Sequence, residues 1–459
     1  MSAEPASTRA ASVAQTLAQG VQAIAATGVP ANVRTRLEEL LIDVVGLCIA
    51  ARNTDYIRAV MAGVDAGGPC TAVGHAAMFR AEDAAMINGT AAHGEDFDDT
   101  FEGGPVHSGA VIVPAVLAAC ERFKRSGQDA LLGIAVGTET LCRLSFVRPK
   151  AIHKAGFHPT SVLGAIASTL AVCATLRLDV QNTASALGIA GSMASGIIEY
   201  LAEGAWTKRL HAGWAARIGL HATRLAQAGF LGPRTVLEGT HGLFHGFAHA
   251  SEGDYEALLR EFGRNWVLLG LTFKPYATGT MNQPYVDCAL RLHRRGIAPE
   301  EIEDIVCETA EGYVHRLWEP LAAKQRPAND YAAKFSTPFN IAVAWVTGDA
   351  GLSAFTPGTV SDPRILALAA KVRYVVDPDN PYPQRYTGHL RVTLRDGRVV
   401  EERQPHIRGG VEEPLARADI ERKFVGNAAH GGWSRERADA FLERVPAFFD
   451  RPIDLTDLA

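Results

Sequence analysis

Between Asn88 and Ala110 the chain reads NGTAAHGEDFDDTFEGGPVHSGA, which sets Asp96, Asp98 and Asp99 beside His93 and His107 between two apolar segments. Carboxylates at this density in an apolar, Ala-rich setting are costly unless they are solvated, paired or used in chemistry. If the helix expected over 81–92 runs on through the acidic stretch, His93, Asp96 and Thr100 fall at i, i+3 and i+7 on one face. Asp98 and Asp99 then turn elsewhere, towards capping or a neighbouring chain. His107 follows a Gly-Gly-Pro turn and immediately precedes Ser108-Gly109, where the next apolar helix starts. The positive dipole end there favours a neutral imidazole, which can act as a base. The bland reading is a solvated helix end whose acids only cap it.

Three further sites carry chemistry-bearing side chains. In Gly156-Phe-His-Pro-Thr-Ser161 the histidine lies just outside a greasy helix whose natural N-cap is Thr160 or Ser161, and the free N–H groups suit a carboxylate. In Thr207-Lys-Arg-Leu-His211, Lys208 and His211 stand at i, i+3 on one helical face. In Phe273-Lys-Pro-Tyr276 the lysine is flanked by Phe and Pro and cannot easily snorkel, so Lys274 is expected to face a cleft. Singly, each histidine fits a capping or packing role and each lysine a surface. Together they supply imidazoles, a carboxylate, a hydroxyl and two ammonium groups, a set suited to proton abstraction beside a carboxylate with cations holding an acidic substrate.

Two rival motifs compete with this reading. Asp96-Phe-Asp-Asp-Thr100 formally fits the DxDDT acid motif of class II terpene cyclases, but those need an aromatic-rich pocket and aromatics here are only 7%. A DDxxD-like metal cluster lacks a second acidic partner, so no metal and no cofactor is expected.

The elements that must position these groups are mostly helices. Val29–Arg52 carries Val33, Leu37, Leu40, Leu41, Val44 and Leu47 on one stripe. Ala81–Ala92, Gly109–Arg125, Ala130–Leu144, Ser161–Leu176 and Trp214–Ala228 follow, several apolar nearly all round, as inside a multi-layer bundle. After Gly270 the texture changes. Ile302–Thr309, Leu390–Leu394 and Val399–Glu402 read as strands, with a hairpin turn at Leu394–Arg398, helices at Ser336–Trp345 and Pro363–Val372, and a proline-rich loop at Asp377–Arg385. The pattern is helical again from Pro414. The expected fold is mainly α: a large multihelical domain over 1–268, a smaller α/β lid domain over 269–405, and helices over 406–459 returning to the first domain.

Bulk properties narrow the class. A net charge of −5 gives no footprint for nucleic acid or an anionic membrane, and the basic run Arg291–Arg295 is read as the wet face of a helix. Seven singly spaced cysteines, without a CxxC pair, point to reduced buried thiols in a cytoplasmic protein. The N-terminal stretch has no apolar core of a secretory signal, and the greasy run Ser161–Leu176 is too short for a span, so no membrane association is expected.

With these residues in hand, the chain resembles the MmgE/PrpD family. The motifs that carry the likeness are VPANVRTRLEELLIDVVGLCIA, INGTAAHGEDFDDT with HSGAVIVPAVLA, GFHPTSVLGA, TKRLHAGWAARIGL with GFLGPRTVLEG, FKPY, and AAKFSTPFNIAVAW, in that order over nearly the whole chain. The resemblance implies a helical large domain built from both chain ends, a smaller α/β domain, a homodimer, and metal-independent chemistry on small polycarboxylates. It carries over Asp96, Thr100, His107, His158, Lys208 and Lys274 as the active site. Two departures fall near the expected pocket: Phe339 stands where the decarboxylase branch has a tyrosine, and Ala277–Leu292, reading ATGTMNQPYVDCALRL, departs from the Cys and His pattern of related sequences.

The resulting expectation is a cofactor-independent lyase, foremost a dehydratase of a 2-methylcitrate-like hydroxy acid. Catalysis falls to His107, His158 and Asp96, the last as an acid if burial keeps it protonated. Thr100, Lys208, Lys274, His211 and Phe339 line the substrate. Decarboxylation or epimerisation of a related polycarboxylate shares the same enediolate, and a non-catalytic helical scaffold is the alternative of another class.

Overall fold

A computed structural model describes residues 10–104, 106–250 and 252–459. Its helices belong mostly to the first 250 residues. Ala31–Ala51 buries the expected stripe, and from Leu40 to Ala51 every residue is buried, so both sides of this helix are core. Pro159–Thr175 is buried at every position and Gly127–Val147 at nearly every one. Gly127–Val147 is apolar and long enough to span a bilayer by length and composition, yet 94% of its apolar window is packed inside the protein. All seven cysteines are free and buried.

The crossing that matters most for the site joins Ala81–Gly94 to Thr207–Gln227. They meet at Gly89 and Gly213, where a Cβ on Gly213 would lie 2.2 Å from the Met86 carbonyl and one on Gly89 2.7 Å from Gly213 Cα. Only glycine permits that approach, and it brings the end of one helix (His93) towards the start of the other (Lys208, His211).

The smaller unit is a four-stranded sheet in the order Val372–Val376, Ile302–Thr309, Gly388–Leu394, Val399–Gln404. The first two strands are parallel and the other neighbours antiparallel. Gln283–Arg294 packs on the sheet and Thr337–Thr347 packs on that helix. The hairpin turns at Leu394–Arg398, with Leu394 N–H donating to the Arg398 carbonyl and Gly397 at φ 87°. The helix expected over Pro363–Val372 stops at Ala369, because Val372 begins the edge strand. Arg291 and Arg295 of the basic run both pair with Glu402, at 2.6 and 2.5 Å.

Arg417–His430 and Arg435–Arg444 return to the large unit. Phe424 packs onto Gly46, where a Cβ would come within 2.9 Å of its ring, and Lys423 reaches Asp43 at 2.6 Å. These contacts place the C-terminal helices against the helix Ala31–Ala51.

Three local expectations are corrected. The Ala81 helix does not run through the acidic stretch: it ends at Gly94, where a Cβ would collide with Tyr56 Oη at 2.2 Å, and Asp96 turns to φ 54°. Thr100 therefore lies not on a helical face with His93 but in a two-residue strand, paired with Thr272. The Pro159 helix starts before Thr160, since proline at its first turn is preorganised for helix and makes His158 the N-cap. The helix expected from Trp214 begins at Thr207, so Lys208 and His211 do share its first turns.

Candidate active site

The loop Glu95–Asp99 is the centre of the site. Asp96 is wedged between two lysines: its Oδ2 accepts from Lys208 Nζ at 2.8 Å and its Oδ1 from Lys274 Nζ at 2.7 Å. Lys274 also donates to the Asp96 carbonyl at 2.9 Å. Asp96 and Lys274 are 3% and 0% exposed. Burial alone would raise the Asp96 pKa, but the two ammonium groups hold it well below the usual carboxylate range. Asp96 is thus ionised, which corrects the expectation that it could serve as a protonated acid. Its left-handed backbone is uncommon for a non-glycine residue and is kept by these three bonds.

The other two aspartates, expected to cap or to face a neighbouring chain, serve this loop from inside the protein. Asp98 accepts from His93 Nδ1 at 2.7 Å and stands 3.6 Å from His107 Nδ1. Asp99 caps the Gly109–Phe123 helix, accepting from the N–H groups of Ser108 and Gly109 and from the Ser108 hydroxyl at 2.8–3.0 Å. Burial and the adjacent Asp98 push the Asp99 carboxyl up to about 7.

Four imidazoles follow one another through the interior. Ring centroids are 4.9 Å apart for His93–His107, 5.6 Å for His93–His158 and 5.3 Å for His158–His211. His107 Nδ1 lies 2.7 Å from the Asp99 carbonyl, which can only accept, so the proton sits on Nδ1 and Nε2 keeps its lone pair. Burial drives the His107 pKa down to about 3, and that of His211 to about 4, with His158 also well below its ordinary value. All three are neutral at pH 7. Tyr200 stands edge-on to both His158 and His211, at 6.2 and 5.7 Å.

The structure brings Asp96, His107, His158, Lys208, Lys274 and His211 into one cluster. Thr100 joins it through the strand pair that also sets Lys274 two residues beyond Thr272. Phe339 does not belong to the charged cluster: it is fully buried in the small unit, 6.3 Å from Phe355. Sequence reading missed Lys334, whose Nζ, 5.7 Å from the Phe355 ring, donates to the Glu95 carbonyl and Oε2 at 2.7 and 2.6 Å. It also missed Lys423, which donates to the Phe97 carbonyl at 2.6 Å. Lys334 carries the same signal as Lys274, a lysine set among apolar residues beside phenylalanine.

Among the described residues one group, His93, Asp98 and His107, has ligand atoms within 4.8 Å of one another, a spacing a cation could bridge. His93 Nδ1 is spent on Asp98 Oδ2 and His107 Nδ1 on the Asp99 carbonyl, while His93 Nε2 and Asp98 Oδ1 have no hydrogen-bond partner among the described residues, and Lys274 Nζ stands 4.0 Å from Asp98 Oδ1. A fixed ammonium against the same carboxylate disfavours a metal.

Family models match over most of the chain, the MmgE/PrpD N-terminal domain over residues 15–256 and the C-terminal domain over residues 276–445. The chain belongs to the MmgE/PrpD family. Its relatives include the cis-aconitate decarboxylase of Mus musculus, 31% identical over 364 residues that span 75% of this chain and 71% of the relative. The cis-aconitate decarboxylase of Homo sapiens is 30% identical over 75% of this chain and 72% of its own length. That of Aspergillus terreus is 27% identical over 95% and 92%. For this MmgE/PrpD protein the two family models meet between residues 256 and 276, close to where Lys274 leaves the large unit for the small one.

Proposed function

We propose that this MmgE/PrpD protein is a cofactor-independent lyase that removes carbon dioxide from a small tricarboxylate of the cis-aconitate type. The observation that carries this reading is the pair of ammonium groups on Asp96, set beside neutral imidazoles in a nearly closed site. The names of the relatives support decarboxylation ahead of the dehydration foremost in the sequence reading.

The chemistry follows from the charges. As the bond between a CH2 carbon and its carboxylate breaks, the electron pair forms a new C=C bond. The old double bond moves its pair onto the carbon α to a second carboxylate, which becomes enediolate-like. Lys208 and Lys274 offset that charge, in a setting where burial strengthens each interaction. The α-carbon then takes a proton from an imidazole N–H, for which His158 is the candidate. His107, with Nδ1 tied to a carbonyl, presents a bare Nε2 that orients substrate.

Dehydration of a 2-methylcitrate-like hydroxy acid is the second reading. It is favoured by that same bare Nε2, a base for the proton α to a carboxylate. Epimerisation would need only reprotonation on the opposite face. A homodimer, a cytoplasmic setting and the absence of nucleic-acid partners belong to the same proposal. Proton NMR in deuterated buffer, with cis-aconitate, citrate, 2-methylcitrate and malate offered to EDTA-treated protein, separates the readings. Carbon dioxide with one deuteron on the product carbon supports decarboxylation. Water loss supports the dehydratase, exchange with inversion the epimerase, and no reaction by folded protein refutes all three.

A further inference from the structure

The site described above is closed, electrically balanced and short of one proton. Lys208 and Lys274 are matched by Asp96 and Asp98, and His107, His158 and His211 are neutral. If the lyase reading holds, a trianion becomes a dianion plus carbon dioxide, so each turnover draws one proton from solvent onto carbon. Something must carry it past the packed helices.

We infer that His211 is the proton inlet of this site, taking a proton from an outer pocket and passing it through its Nδ1 to His158, which delivers it to the reacting carbon. His158 Nδ1 and His211 Nδ1 are 3.2 Å apart. Two ring nitrogens at that distance share one proton, and either ring can hold it. With Nδ1 so engaged, His158 keeps Nε2 for the substrate. His211 is 7% exposed and lines a surface pocket of about 610 Å³ together with Gly196, Ile197, Tyr200, Leu210 and Trp214. His158 does not line that pocket, so His211 is the group that connects the two.

The backbone fixes this pair. The His158 N–H donates to the Gly196 carbonyl at 2.8 Å, and Phe157 bridges to Ile197. Gly196 sits at φ 118°, where a Cβ would strike Ser161 Oγ at 2.6 Å and meet His211 Cε1 at an ordinary contact distance of 3.5 Å. The pocket wall is therefore pinned against both histidines. Lys208 lies one turn earlier on the His211 helix, so the group that binds charge and the group that imports the proton share one rigid element.

The step balances. The His158 Nε2–H bond breaks as the C–H bond forms. His158 Nδ1 gains the proton that His211 Nδ1 gives up, and His211 Nε2 gains one from water in the pocket. Before the next turnover each ring turns about its Cβ–Cγ bond to present its N–H again, because running the pair backwards would return the imported proton to the pocket. His211 touches no reacting atom and is a positioning and relay residue.

His211→Asn tests this, because the asparagine amide reaches the place of Nδ1 and keeps the hydrogen bond to His158 but cannot pass a proton on. In single-turnover measurements with cis-aconitate the rate should fall roughly tenfold or more, with substrate Kd within about twofold and the melting temperature unchanged. A wild-type rate in His211→Asn overturns the relay and leaves a structural hydrogen bond. If the variant fails to fold, wild-type protein labelled with ¹⁵N-histidine decides. A scalar coupling between the two Nδ1 atoms, through a proton that exchanges with solvent, supports the relay, and its absence refutes it. That spectrum also stands if wild-type protein releases no carbon dioxide, an outcome that would sink the lyase reading alone.

Discussion

Replacing Asp96 with asparagine removes one carboxylate and leaves two buried ammonium groups. Lys274 is fully buried and the Lys208 side chain is 12% exposed, so water can reach only one of them, and that one poorly. Removing one partner of a buried ion pair costs about 3–5 kcal/mol, chiefly because the remaining charge is stranded. Here two charges are stranded, but Lys274 keeps the Asp96 carbonyl and an asparagine oxygen can still accept one bond. These effects oppose each other, and about 4 kcal/mol is expected for Asp96→Asn by urea denaturation at pH 7. The variant should also gain more than wild type from a bound polycarboxylate, which replaces the missing negative charge. At a hundred times its Kd a ligand adds about 2.7 kcal/mol. The assay is a pair of urea curves for each protein, with and without tricarboxylate. An Asp96→Asn protein as stable as wild type, or one that the tricarboxylate does not stabilise, would refute the view that Asp96 occupies the substrate's charge site.

Other outcomes follow from the same geometry. Lys334→Met strands Glu95, whose pKa Lys334 and Arg209 lower to about 2 against burial, and should cost about 3 kcal/mol at pH 7 by chemical denaturation. Because the folded Glu95 pKa is depressed, its contribution is present above about pH 4.5 and is lost as pH falls towards 2, a slope the variant should lack. His107, His158 and His211 are buried neutral, so the unfolded chain binds protons that the folded one refuses as pH drops below 6.5. Each such histidine should remove about 1.4 kcal/mol per pH unit from there towards pH 4, and His107→Gln should make the stability–pH curve shallower. Asp99→Ala uncaps the Gly109 helix and should cost about 1–2 kcal/mol in melting experiments, with a loss of turnover because the carboxylate bonds that hold the Asp99 carbonyl in place under His107 are gone.

The long helices were legible because each buries a stripe at helical spacing, and Ile302–Thr309 because β-branched residues alternate between turn signals. Lys208, Lys274, His107 and His158 were legible as polar groups out of place among apolar ones. What failed was local continuation into a segment governed by distant partners. The helix carrying His93 stops where it does because Tyr56 blocks Gly94, and Thr100 pairs with Thr272. Nothing within ten residues announces either. Lys423 shows the limit most plainly: IERKFVGN reads as an ordinary amphipathic helix, and the acceptors that bury its ammonium, Asp43 and the Phe97 carbonyl, belong to the other end of the chain.

The loop Glu95–Asp99 is tied by four lysines that lie 112, 178, 239 and 326 residues further along the chain. Contacts of such separation form late, because much of the chain must be in place before they can close. A growing polypeptide will have made every histidine of the cluster, and Lys208 and Lys274 as well, while this loop still lacks its last tether. A fragment ending before Lys423 would hold a full set of reactive groups on a loop that keeps three of its four lysine tethers.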